Sequence, residues 1–81
     1  MSELTLNKHI ATTIKKLRIQ AGFSQEQLAF RSHLDRTYIS GVERGIRNIS
    51  LNSLEKIINA LEISLDQFFI EVVNEIQNKE R

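Results

Sequence analysis

Apolar residues recur along this chain at intervals of three and four, the spacing that places them on one face of an α-helix. Leu6, Ile10, Ile14, Leu17 and Ala21 make the first such stripe, which predicts a helix over about Asn7 to Ala21. Gly22 is placed to end it in a left-handed cap, and Ile19 lies off the stripe. A second helix opens at Ser24-Gln25-Glu26-Gln27, where Ser at the N-cap and Gln three residues on form a capping box. Phe23 precedes the cap and is placed to staple onto Leu28, with Leu28 and Ala29 facing inward. After the tight connection Ser32-His33-Leu34, a third helix starts with Asp35 as N-cap and stops at Gly45, a C′ residue, with Ile39 and Val42 inward. Two short helices joined this way are the helix-turn-helix pattern. Its turn needs a residue that tolerates positive φ, a region where His33 is enriched relative to most residues.

Ser50 is placed to cap a fourth helix, with Leu51, Leu54, Ile57, Ile58 and Leu61 as its stripe. Ser64-x-x-Gln67 is a second capping box and opens a fifth. On that helix Leu65, Phe68, Phe69, Val72, Val73 and Ile76 occupy an arc of about 140°, and Ile70 widens it. A small domain needs only about 100° of apolar face per surface helix. The surplus predicts that part of the face is buried in a second copy related by a two-fold axis, against the competing view that helix five is all core. The expected fold is all-α: one five-helix domain over residues 1–81, with the C-terminal helix (about 64–78) supplying the dimer interface through Phe68, Phe69, Val72, Val73 and Ile76.

The third helix carries the candidate chemistry. Arg36, Thr37, Ser40, Gly41 and Arg44 point away from Ile39 and Val42, giving a face of cations and hydroxyls without a carboxylate. Such a face suits DNA base edges and phosphates. Gly41 is costly inside a helix, by ~1 kcal/mol relative to Ala, and its place on the outward face predicts close approach by DNA rather than by another helix. Gln25, at the first position of helix two beside free N–H groups, is arranged to receive a phosphate, although ordinary capping explains the local sequence as well. Arg47 can reach DNA from the following loop. Asn48, Ser50 and Asn52 cluster at the start of helix four and could bond a phosphate, though simple capping accounts for Ser50 equally.

Composition narrows the picture. With 81 residues the chain has room for one domain, and a chain this short buries only about 60% of its unfolded surface, so self-association would help. Hydrophobic residues make up 41% and Pro is absent, which fits a compact helical domain. Without Cys there is no thiol nucleophile, disulfide framework or Cys zinc site. No paired His, metal-spaced cluster or Gly-rich phosphate loop appears either, so the expectation is no enzyme, no metal and no cofactor. His9 and His33 read as structural or turn residues. The N-terminus lacks the apolar core of a signal peptide, and no apolar run is long enough for a membrane span, so a soluble, cytoplasmic protein is expected. The net charge of +1 hides an asymmetry: residues 1–47 carry +4 and residues 48–81 carry −3. A basic N-terminal half joined to an acidic tail separates polyanion binding from another task.

Ile14-Lys15-Lys16-Leu17-Arg18, Gly22-Phe23-Ser24-Gln25-Glu26-Gln27-Leu28-Ala29 and Tyr38-Ile39-Ser40-Gly41-Val42-Glu43-Arg44-Gly45 resemble the Xre-type helix-turn-helix domain of phage Cro and repressor proteins, over about Asn7 to Asp66. Within it, the stretch Asp35 to Arg44 with Arg47-Asn48-Ile49-Ser50 is similar to the controller proteins of restriction–modification systems. The resemblance implies a homodimer joined through helix five. It would bind palindromic DNA operators upstream of its own gene and a linked restriction gene, activating at low occupancy and repressing once a second dimer binds. RNA polymerase is then a further partner. Arg36 and Thr37 would read bases from the start of the recognition helix and Arg47 from the loop, with Tyr38 and Ser40 as base or phosphate contacts. Gln25 would hold a phosphate, and Arg44 would do so near the helix end. Arg18 and Glu43 match a family salt bridge that ties helix one to the recognition helix. The departures are in the turn, where Ser32 replaces an apolar residue and His33 replaces Gly. Competing readings are a phage-like repressor or antitoxin of the same domain type and, in a different class, a helical protein-interaction module.

Overall fold

The computed structural model describes residues 5–79 and contains α1 (Thr5–Gln20), α2 (Gln25–Ser32), α3 (Arg36–Glu43), α4 (Leu51–Ala60) and α5 (Leu65–Lys79). The core is drawn from every helix: Ile10 and Ile14, Leu28 and Ala29, Ile39 and Val42, Leu54, Ile57 and Ile58, then Phe68 and Val72. α2 packs on both α3 and α4, while α1 lies against α3 and α5. α1 and α4 therefore flank the short pair α2–α3, and α5 backs α1.

Each of the first four helices ends in the same way. A residue two or three past the helix donates its N–H back to the carbonyl five before it, as in Phe23 to Arg18, Leu34 to Ala29, Ile46 to Gly41 and Ile63 to Ile58. This closure requires a left-handed residue. Gly22 (φ 82°) and Gly45 (φ 75°) supply it without strain, whereas His33 (φ 60°) and Glu62 (φ 58°) adopt it as L-residues. The helix-turn-helix turn thus keeps its geometry with His33 in place of the usual Gly. Ser32, the other departure, is fully buried, and its hydroxyl donates to the Leu28 carbonyl at 2.7 Å. The polar atom is satisfied within its own helix, so the core tolerates it.

At the helix starts, Ser24 and Gln27 form both bonds of the capping box, and the Ser50 hydroxyl accepts from the Ser53 N–H at 3.1 Å. Asp35 holds the N-cap position of α3, but its carboxylate makes no capping bond. At α5 the Ser64 hydroxyl accepts from the Gln67 N–H, while the Gln67 amide turns forward to Glu71. The hydroxyl of Ser64 and the N–H groups of Asp66 and Gln67 hold the exposed Asp66 carboxyl below its ordinary value.

Three of the expected stripes differ from what their periodicity suggested. Leu6 is 63% exposed and Ala21 sits exposed in the turn, while Ala11, Thr13 and Arg18 are buried instead. α1 is gripped from two sides, by α3 and α5, so its buried face is broader and rotated relative to the simple stripe. Leu51 is 84% exposed at the first position of α4, ahead of the packed turns. On α5 the correction bears on the interface: Phe68 and Val72 are core residues and cannot also face a partner, and Ile76 packs against the core edge. Leu65, Phe69, Ile70 and Val73 remain about half exposed.

Candidate nucleic-acid interface

α3 is eight residues long, too short to be stable alone, and takes its orientation from what grips its two ends. Ile39 and Val42 are fully buried against the core. At its C-terminal end the Arg18 guanidinium donates from Nε to Glu43 Oε2 at 2.7 Å and from Nη2 to Oε1 at 3.0 Å. The two side chains are only 11% and 2% exposed, so the exposed part of Glu43 is its main chain. Gln25 Nε2 adds another donor to Glu43 Oε1 at 3.0 Å, and Arg18 Nη1 donates to the Phe23 carbonyl, just before the cap of α2. One carboxylate therefore fixes α1, the start of α2 and the end of α3 together. The Gln25 link was not foreseen, because nothing local relates residues eighteen apart in sequence.

This network changes how Gln25 presents itself. Its amide nitrogen faces the Glu43 carboxylate, which would repel the amide oxygen. One amide N–H is consumed by that bond, and the other remains for an external acceptor. The N–H groups of Gln25 and Glu26 occupy the first helical positions, where a helix supplies no carbonyl partner.

On the outer side of α3, Arg36 and Thr37 are exposed in the first turn, Ser40 is half-buried and Arg44 is exposed at the C-cap. Tyr38 differs from the other candidate readers. It packs against the core, its hydroxyl accepts from the Ser50 N–H at 3.4 Å, and the Arg47 guanidinium stacks over its ring at 5.2 Å. Gly41 needs correction: it is buried, not open to an approaching strand, because the Arg47 side chain lies over it. A Cβ at residue 41 would sit 3.5 Å from Arg47 Cβ and 3.7 Å from Nε, which is ordinary contact. Gly41→Ala is therefore expected to stabilise the domain by up to ~1 kcal/mol. For a domain this small that corresponds to a rise of about 4–8 °C in Tm, readable in a thermal melt followed by circular dichroism.

Asn48, Ser50 and Asn52 are exposed around the start of α4. The Ser50 hydroxyl is spent on capping, which leaves Asn48 and Asn52 as the freer polar groups there. Two further contacts were missed in the sequence. Asn7 Oδ1 accepts from the Ile49 N–H at 3.4 Å and so pins the loop after α3 to α1. Arg31 stacks on Phe23 at 4.6 Å and reaches the Ala60 carbonyl and Glu62, clasping α2 to the α4–α5 turn. No helix among the described residues is long and apolar enough to cross a membrane.

Comparison with known proteins agrees with this geometry. A helix-turn-helix family model matches residues 14–68. The chain is 49% identical to control protein C.BamHI of Bacillus amyloliquefaciens over 62% of its length and 63% of the relative's. It is 46% identical to control protein C.MunI of Mycoplasma sp over 76% of its length and 85% of the relative's. A crystal structure of the restriction–modification controller protein C.Esp1396I superposes with a TM-score of 0.88 at 46% identity, covering 90% of this chain and 96% of that one. Another structure shows C.Esp1396I as a tetramer on its natural 35-base-pair operator. The chain spans somewhat under two thirds of the length of C.BamHI and of a Neisseria meningitidis hypothetical transcription factor, which it matches at 40% identity. A short helix with exposed Arg36 and Thr37 at its start, clamped at its end by Arg18 and Glu43, belongs to a chain matched along most of its length by these proteins: the chain is a member of the helix-turn-helix family, in the branch of the restriction–modification controller proteins.

Proposed function

We propose that this protein binds a palindromic operator as a homodimer, with α3 of each protomer in the major groove, and so controls its own gene and a linked restriction endonuclease gene from the cytoplasm. The observation that carries the reading is the pairing of exposed Arg36 and Thr37 with a buried clamp that fixes their helix. Arg36 can donate two bonds to guanine O6 and N7, and Thr37 offers a methyl group to thymine and a hydroxyl to a phosphate. Gln25, Arg44, Asn48 and Asn52 are the phosphate contacts that set register, and Arg47 reaches DNA beyond the helix.

The dimer follows from the apolar surface left over by folding. Leu65, Phe69, Ile70 and Val73 on α5 are about half exposed. A groove of about 370 Å³ lined by Leu6, Leu51, Leu54 and Phe69, with Ile10 and Ile49, extends that surface toward the starts of α1 and α4. Such a face is larger than helix five alone and can be covered by its own copy about a two-fold axis. A two-fold pair presents its reading helices about 34 Å apart, one turn of DNA. The C.Esp1396I assembly on its operator supports a second dimer on the same promoter, and activation at low occupancy brings in RNA polymerase as a partner.

The test is selection of bound duplexes from a random pool, followed by a footprint upstream of the protein's own gene. Arg36→Ala is expected to weaken binding to the selected duplex by about 1–3 kcal/mol per half-site, while random duplex loses much less. Equal losses on both would refute the base-reading role of Arg36.

A further inference from the structure

We propose that His33, in the turn between α2 and α3, and Lys56, across from it on α4, together grip one phosphate of the DNA backbone. The inference rests on the DNA-binding reading above and adds a backbone contact to it. The first observation is the main chain of His33. It is left-handed (φ 60°), as is that of one other L-residue among the described residues, Glu62 (φ 58°), while Gly22 and Gly45 fill the equivalent positions after α1 and α3. A side chain makes that conformation unfavourable, so a residue other than glycine there points to a use for the side chain. Glu62 has such a use inside the molecule, because its carboxylate accepts from Arg31 at 2.8 Å. The His33 imidazole is exposed and makes no hydrogen bond or ion pair among the described residues, so its use lies outside.

The surroundings select that use. His33 lines a cleft of about 520 Å³ between the end of α2 and α4, together with Lys56 and Asn59. Lys56 is exposed and pairs with no carboxylate among the described residues. Arg31 also lines the cleft but is spent on the Ala60 carbonyl and Glu62. It fixes the end of α2 against the end of α4 and so sets the span between His33 and Lys56. On its other side His33 shares a second cleft with Asp35 and Ser53, just ahead of Arg36 and Thr37. The Asp35 carboxylate repels an anion on that side, which leaves the side of Lys56. Asn52, Lys56 and Asn59 stand at intervals of four and three, so they run along one exposed face of α4. The row starts at Asn52, a proposed phosphate contact, and reaches the His33 cleft one turn later at Lys56. A DNA strand held at Asn52 is thus led to an imidazole N–H and an ammonium. Both suit a phosphate oxygen, and a contact to phosphate carries no base information.

The test measures binding to the selected duplex and to random duplex over a range of salt, with a thermal melt of each variant. His33→Gly removes the imidazole and relaxes the turn, so its Tm should equal or exceed that of wild type. Its affinity should nevertheless fall about threefold to tenfold per half-site, the worth of one hydrogen bond to an exposed phosphate. A phosphate is the same in every sequence, so the loss should be alike on selected and random duplex. His33→Asn, which tolerates the left-handed turn and keeps an N–H donor, should bind between His33→Gly and wild type. Lys56→Ala should weaken both duplexes similarly and flatten the slope of log K against log salt by about 1 per protomer. The double variant should lose less than the two single losses combined, because both groups hold one phosphate. His33→Gly binding like wild type, or a Lys56→Ala salt slope equal to that of wild type, would overturn the proposal. So would losses that simply multiply in the double variant, or a His33→Gly loss confined to the selected duplex, which would make His33 a base contact. A wild-type protein that binds no duplex would instead overturn the DNA-binding reading itself, so the two failures are distinguishable.

Discussion

Glu43→Ala is expected to cost the domain about 3–5 kcal/mol, the usual consequence of leaving one member of a buried ion pair without its partner. At 0.05–0.15 kcal/mol per residue, a chain of 81 residues has a total stability of about 4–12 kcal/mol. The loss is therefore a large share of what holds the molecule folded. The geometry explains why it is so concentrated. Glu43 accepts two bonds from Arg18 and one from Gln25, and its side chain is only 2% exposed, so water cannot replace it at the guanidinium. Urea denaturation should show a midpoint lowered by about a quarter or more of its wild-type value with little change in slope. Replacing both charges with apolar residues of similar size, Arg18→Met with Glu43→Leu, should recover much of the stability, because the desolvation penalty then disappears from both sides. It should not recover the fixed presentation of Gln25. A loss below about 1 kcal/mol in the single variant would place the pair among ordinary surface salt bridges and contradict its burial.

Val73→Glu is expected to abolish dimerisation while leaving the protomer folded. Val73 is about half exposed, and Glu is a good helix former, so the isolated domain has little to lose. In the proposed dimer the same position is covered, and a carboxylate there is buried against an apolar face with no partner for its charge. Sedimentation should report a monomer at concentrations where wild type is dimeric. Operator binding should fall by roughly 10²–10⁴, since the second half-site contact ceases to be intramolecular. Phe69→Glu should act in the same direction. Phe68 would be the wrong residue for the experiment, as it is fully buried and its loss would unfold the core. A full dimer of Val73→Glu would show that α5 does not form the interface.

The stripe logic of the sequence located each of the five helices to within a few residues, because caps and breakers are local signals. Ser24 with Gln27, Ser50, Gly22 and Gly45 act over one helical turn, and each is bonded as its spacing implies. Periodicity was less reliable about which apolar residues are inside. Leu6 and Leu51 continue their stripes in sequence yet stand in first turns that overhang the packed body, and Phe69 is exposed next to buried Phe68. Helical spacing says which side chains share a face, and it carries no information on how far along that face the neighbouring helix reaches.

α3 divides in the same way. Its polar outer face, its inward Ile39 and Val42, and its place after a helix-turn-helix connection were legible in the residues from Asp35 to Gly45. What lay beyond a single helix had to come from the fold. Gly41 looked open on a helical wheel, but Arg47, six positions later, folds back across it. Tyr38 looked like a reader on sequence alone, and the loop turns both its hydroxyl and its ring face toward Ser50 and Arg47. Gln25 opens α2 and Glu43 closes α3, so only the close packing of α2 on α3 brings an amide and a carboxylate within 3.0 Å. By itself the sequence determined the helices, their caps and the polar character of α3, since these depend on interactions between residues up to four apart. The tertiary structure alone decided which of those polar groups stay free for DNA and which are held, because that depends on long-range contacts that chain spacing does not encode.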